Sequence, residues 1–213
     1  MGEKYRVLME LNEALVAELN FALNEARWWY AEVLHGRRIV DLGFQVLSLP
    51  ATGPEPDLKA RSIRIHVRGV GRIAASLRLG RWDDDEATVE LFNLESLNEV
   101  VERFGGSPIY GWEFFDSPDK SWNHWKDRLS LDVSFEYGSD RHVVDLFQES
   151  AVGGDRHLDV RIWFNDLAIF DYEMNQIPTE EFAAGGRRWW DALYAGDPRT
   201  EGHGIFPLKP DEH

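Results

Sequence analysis

The chain has no cysteine. That excludes disulfides, thiolate catalysis and cysteine-ligated zinc, and it fits a cytoplasmic setting. No apolar run approaches the length of a membrane span, so no membrane partner is expected. Met1-Gly2-Glu3-Lys4-Tyr5 lacks a basic stretch leading into an apolar one, so no secretory signal is expected. Basic charge is scarce: 23 Lys and Arg stand against 38 Asp and Glu, a net charge of −15. Such a surface repels nucleic acid and anionic lipid over most of its area, and it favours solubility and basic partners.

Several chemical signatures are missing too. The His residues do not fall at helical ligand spacing and H-E-x-x-H is absent, so no metal is expected. Gly69-Val70-Gly71 lacks the third glycine and following helix of a dinucleotide fingerprint, and no Ser lies in G-x-S-x-G, so no cofactor or serine nucleophile is expected. Asp83-Asp84-Asp85-Glu86 does not have the spacing of an EF-hand loop and reads as an acidic turn.

What is present is ordinary globular composition, 43% apolar and 29% charged over 213 residues, with nine Trp and twelve Phe. The clearest order lies between residues 128 and 173. Leu129, Leu131, Val133 and Phe135 alternate with Ser130, Asp132, Ser134 and Glu136. Leu158, Val160, Ile162 and Phe164 alternate with Asp159, Arg161 and Trp163. Strict period two marks strands with one buried face. The spacing predicts a four-strand meander, with a strand at His142 to Gln148 and a turn at Asn165-Asp166 that sets Leu167 and Ile169 opposite Phe164 and Ile162.

Two further hairpins are predicted, one with strands near 27–34 and 38–48, the other over 62–79 around Gly69-Val70-Gly71. Short strands are expected near 88–92 and 109–116. Helices are expected at 7–19, at 96–105 behind a Ser96–Glu99 capping box, and at 179–195 with Thr179 as cap. Gly185-Gly186 inside the last helix costs roughly 1 kcal/mol per residue against Ala, which a close backbone contact would rationalise. The sum is one α+β domain over 1–213, an antiparallel sheet or two packed sheets of about nine strands covered by two to three helices. The loop at 49–61 is a surface excursion and 197–213 an irregular tail.

Three places could carry function. Between Lys59 and Arg81 the chain has Lys59, Arg61, Arg64, Arg68, Arg72, Arg78 and Arg81 and no acid. If 62–79 is a hairpin, Arg68 lies opposite Arg72, with Arg64, His66 and Arg78 on their face. Like charges so placed suit an intervening anion, bound by bidentate guanidinium geometry, with His66 as proton carrier. The alternative is neutralisation by Asp132, Glu136, Asp145 and Asp159. The second place is the outer face of the meander, where those four acids and Trp163, with Phe147, Arg161, Phe170 and Tyr172, could bind a basic protein, a cation or a sugar. The alternative is burial under the last helix through Phe182, Trp189 and Leu193. The third is the run from Ile109 to Asp116 with Trp122, His124 and Trp125, a pocket in which Glu113 or His124 acts as acid or base, or else a packed aromatic plug.

Two functions follow as expectations. One is a non-enzymatic protein-binding module using the acidic and aromatic face, similar in charge and size to immunity proteins that neutralise basic bacterial toxins. The other is an anion-binding small-molecule site or enzyme on the arginine stripe.

Overall fold

The computed structural model describes residues 11–110, 113–136, 138, 140–150 and 155–205. Its strands follow the alternation closely. In β3 (Ser62–Arg68), Ile63, Ile65 and Val67 are buried while the polar residues between them are half-exposed. In β8 (Arg156–Phe164), Leu158, Val160, Ile162 and Phe164 are fully buried. Apolar side chains on one face of each strand leave water together, which is what fixes the strand's register.

Two five-stranded antiparallel sheets result. The first has the order β1-β2-β3-β9-β10, adding β1 (Arg27–Leu34), β2 (Ile39–Gln45), β9 (Asp166–Phe170) and β10 (Gln176–Ile177). The second has the order β5-β4-β8-β7, with β4 (Arg72–Leu79), β5 (Thr88–Val89) and β7 (His142–Ser150). Here β6 (Leu131–Ser134) pairs with β4 beside β5. With four helices among the described residues, this is the α+β class expected. The inner faces of both sheets feed one apolar cluster.

Two expected hairpins are instead corners. β3 pairs with β2 and β9, whereas β4 pairs with β8, β6 and β5, so Arg68 faces Ile39 and Asp166 rather than Arg72. Likewise β8 and β9 do not pair with each other, and Asn165 is a crossing point. The run 64–79 lies along the run 156–170, and both pass from one sheet to the other together. At the bend, residues 69–71 stand against 164–165 between the flanking pairs Arg68–Asp166 and Arg72–Trp163. One extra residue on one strand makes a bulge, which sharpens twist and turns a strand into a second sheet. Asn165 N–H donates to the Arg68 carbonyl at 3.0 Å, and Gly71 N–H to the Trp163 carbonyl at 2.9 Å. Gly69 has φ +62°, which a residue with a Cβ adopts at a cost.

The expected meander is therefore split. Only β7 and β8 form an adjacent hairpin, while β6 joins β4 and β9 joins β3. The segment 108–116 bridges the far edges of the two sheets. Ile109 N–H donates to the Ala26 carbonyl at 2.8 Å, and Asp145 N–H to the Phe114 carbonyl at 2.7 Å. It pairs through isolated bridges rather than as the regular strand expected there, and Gly111 and Trp112 lie outside the described residues.

The helices depart from the sequence expectations at their ends. Residues 7–10 lie outside the described residues, and α1 runs Glu13–Leu23, capped by the Asn12 side chain at Leu15 N–H. In α2 (Leu97–Glu102), Ser96 makes no capping bond. Asn93 caps the 3-10 turn Leu94–Ser96 that leads into the helix, accepting from both Ser96 N–H and Ser96 O–H. Thr179 is the first residue of α4 (Thr179–Tyr194), behind Pro178, and not its cap. The glycine pair does mark a close contact: a Cβ on Gly186 would stand 2.5 Å from both Cα and Cβ of Ala22 in α1. So α4 packs on α1 and the first sheet, burying Trp189, Trp190 and Leu193 against Leu47 and Leu49. It does not cover the outer face of β7 and β8; α3 (Asp119–Trp125) does.

Candidate acidic and aromatic groove

Parity sends every second side chain of β4, β8 and β7 outward. Across the three strands this lays out four rows: Arg72, Trp163 and Val143; Ala74, Arg161 and Asp145; Ser76, Asp159 and Phe147; Arg78, His157 and Glu149. α3 lies over the first two rows. Trp122 meets Trp163 edge-on at 5.2 Å and Trp125 at 4.8 Å. Ser121 O–H donates to Asp145 at 3.1 Å. The last two rows, with Asp145 of the second, form the floor of a groove, in which Ser76, Arg78 and His157 are themselves buried.

That floor is charged but largely paired. Arg161, 2% exposed, gives Asp145 two bonds of 2.6 Å. Short bidentate contacts of this kind offset the cost of burying both ions. Arg78 Nη2 donates to Asp159. Burial pushes the Asp159 carboxyl up to about 7, against the pull of Arg78. Burial also lowers the Arg78 guanidinium. His157 is pushed down to about 4, first by burial and then by the Arg78 charge. It is therefore neutral near pH 7, and Nδ1 lies 3.2 Å from the Gly80 carbonyl it can donate to.

Two adjoining hollows of about 430 and 320 Å³ share Tyr110, Phe147 and Asp159. The first reaches Glu113, Ser121 and Trp125; the second reaches Arg78, Trp82, His124 and Glu149. Trp82 and Tyr110 are 54% and 46% exposed, which is unusual for rings of their size. Among the described residues, neither Glu113 nor Glu149 has a Lys or Arg within ion-pair distance. The groove is thus aromatic, with two carboxylates that make no ion pair among the described residues, although the Glu149 charge reaches Arg81.

The structure divides the expected arginine set. Arg64, His66 and Arg68 stand on the outer face of the first sheet. There Arg64 is bidentate on Asp41 at 2.8 and 2.6 Å, His66 Nε2 is 3.3 Å from Asp41, and Arg68 is 3.5 Å from Asp166. Burial is the main influence lowering His66. Arg72 and Arg78 stand on the second sheet, facing Asp132 (2.7 and 2.8 Å) and Asp159. The corner at 69–71 separates the two groups, so they do not share a surface. Of the acidic set, Asp132, Asp145 and Asp159 each face an arginine, Glu136 is exposed and does not line the groove, and Trp163 lies under Trp122 and Arg72. Sequence reasoning named Tyr110, Glu113 and His124 in one candidate and Phe147 in another; the fold brings the two together. It missed Trp82 and Glu149, whose only signals are a Trp beside an acidic turn and an acid on a strand's outward parity. No group of three or more His, Asp or Glu among the described residues is arranged to hold a metal ion. No helix among them is long and apolar enough to cross a membrane.

No family model matches this chain, and no curated protein or solved structure does either.

Proposed function

We propose that the protein is a binding module whose groove over β7 and β8 receives a basic segment of a partner protein. The observation that carries this is the pairing, along one groove, of exposed Trp82 and Tyr110 with the carboxylates of Glu113 and Glu149, which make no ion pair among the described residues. Aromatic faces attract cations, and carboxylates add charge complementarity. A net charge of −15 would draw a basic partner towards the chain from a distance. The Arg–Asp pairs beneath give the groove a fixed floor that is close to neutral.

The same residues support an anion site less well. Arg64, Arg68, Arg72 and Arg78 each already face a carboxylate of this chain, so an added anion would have to displace one.

Titration with a Lys- and Arg-rich peptide, followed by tryptophan fluorescence, tests the proposal. The expected result is saturable quenching that is lost in Trp82→Phe and weakened in Glu113→Gln plus Glu149→Gln. Tighter binding of an acidic peptide of equal length would reverse the assignment.

A further inference from the structure

One group in the groove has more hydrogen-bonding capacity than the chain uses. Arg78 is 1% exposed, and only its Nη2 donates, to Asp159. Nε and Nη1 have no partner among the described residues. Buried donors left unmatched are costly, and a guanidinium more so than a neutral group. Yet Arg78 lines the smaller hollow, beside Trp82, Tyr110 and Phe147. Both donor atoms are shut off from solvent, so an acceptor from outside reaches them when the side chains over the hollow give way.

The surrounding charge decides which acceptor. Glu149 borders the same hollow and Glu113 the adjoining one, and Asp159 already holds part of the guanidinium. A carboxylate or phosphate ligand would be set against those acids. A neutral carbonyl oxygen would not. A peptide segment offers such an oxygen on every residue, and a Lys or Arg side chain can serve Glu149 at the same time. A hollow of about 320 Å³ has room for a peptide group and one adjoining side chain rather than for a folded element.

We propose that Arg78 anchors a main-chain carbonyl of a bound peptide, while a neighbouring Lys or Arg side chain of that peptide lies against Glu149 and the rings of Trp82 and Tyr110. This rests on the groove being a site for basic segments, and it fixes what part of the segment is held and where. The bound group is an amide next to a cation, and neither half alone meets both Arg78 and Glu149.

Four small probes at matched concentration separate the parts: N-acetyl-lysine-N-methylamide, butylammonium, N-methylacetamide and acetate. The readout is the Arg78 Nε–H resonance in 15N-labelled full-length protein, which needs no variant to fold. The blocked lysine is expected to shift that resonance and to bind about tenfold more weakly to Glu149→Gln. Butylammonium is expected to leave it unmoved, and N-methylacetamide to shift it only at much higher concentration. If the blocked lysine binds in a Glu149-dependent way without moving Arg78, the anchor is wrong and the basic-segment assignment stands. If acetate moves Arg78 at lower concentration than the blocked lysine, the site prefers anions and both fail. If none of the four moves it, the anchor is overturned, and peptide titration then judges the groove by itself.

Discussion

Asp159 and His157, two residues apart on the outward face of β8, are driven in opposite directions by the same burial: the carboxyl up to about 7, the imidazole down to about 4. Between pH 3.8 and 7 the folded Asp159 holds a proton that the unfolded chain has lost, so its contribution to stability falls as pH rises. Between pH 4 and 6.5 the unfolded His157 holds a proton that the folded protein rejects, so its contribution rises with pH. Over that shared window the two slopes oppose each other. Asp159→Asn is expected to expose the His157 slope, with urea stability rising from pH 4 to 6.5 more steeply than in the parent. His157→Gln is expected to tilt the curve the other way. Parallel curves for all three proteins would contradict the assignment.

Burial, not geometry, separates the ion pairs. Arg161–Asp145 and Arg72–Asp132 are both bidentate with short bonds, but the Arg161 side chain is 2% exposed and that of Arg72 is 35%. Arg161→Ala leaves a carboxylate stranded under α3 and is expected to cost about 3–5 kcal/mol in chemical denaturation. Arg72→Ala is expected to cost about 1 kcal/mol or less for its ion pair, with a small further loss from its packing on Trp163.

The α1–α4 contact gives a steric test. Gly186→Ala places a methyl group 2.5 Å from the backbone of Ala22, and one helix must move. A loss of about 1–3 kcal/mol is expected despite the better helix propensity of Ala. Gly185→Ala meets the Ser48 hydroxyl, which can rotate away, so it is expected to cost less. Equal losses would show that helix geometry, and not the Ala22 contact, sets the requirement.

The corner makes a coupled pair. A Cβ on Gly69 would stand 2.9 Å from Asn165 Cβ, at a φ of +62°. Gly69→Ala is expected to cost about 1–3 kcal/mol, and Asn165→Gly in the same chain to recover the steric part but not the backbone part. Full additivity of the two changes would contradict the contact.

That corner also shows where sequence reasoning stops. Period two told correctly that Ile63, Ile65, Val67, Ile73, Ala75 and Leu77 point inward, and Leu158, Val160, Ile162, Phe164, Leu167 and Ile169 with them. Leu79, expected inward, is exposed. Parity carries through 69–71 and shifts by one at Asn165, as a two-residue turn would also shift it. Periodicity could not tell a strand that folds back from one that bends onward, since Gly69-Val70-Gly71 and Asn165-Asp166 are as good for a hairpin turn as for a bulge. The arginines were therefore expected on one face, and the bend puts Arg64 and Arg68 on one sheet and Arg72 and Arg78 on the other. The groove was less legible still. Phe147 and Glu149 come from β7, Arg78 from β4 and Trp82 from the turn after it, and Tyr110 and Glu113 from the bridging segment. Nothing local relates those stretches; only the closure of one sheet edge by 108–116 does. The Gly185-Gly186 pair was the opposite case, a local cost whose reason the fold then supplied.

The most direct test of the groove is the salt dependence of association. A fluorescently labelled Lys- and Arg-rich peptide is mixed with the protein in stopped flow at ionic strengths from about 0.05 to about 0.5 M, which shortens the screening length severalfold. The expected result is an association rate that falls at least about tenfold across that range, with a clearly shallower fall in Glu113→Gln plus Glu149→Gln than in Asp171→Asn plus Glu173→Gln, a pair outside the groove. A rate that ignores salt, or one that falls alike in both double variants, would contradict the groove as the site where a basic partner is received.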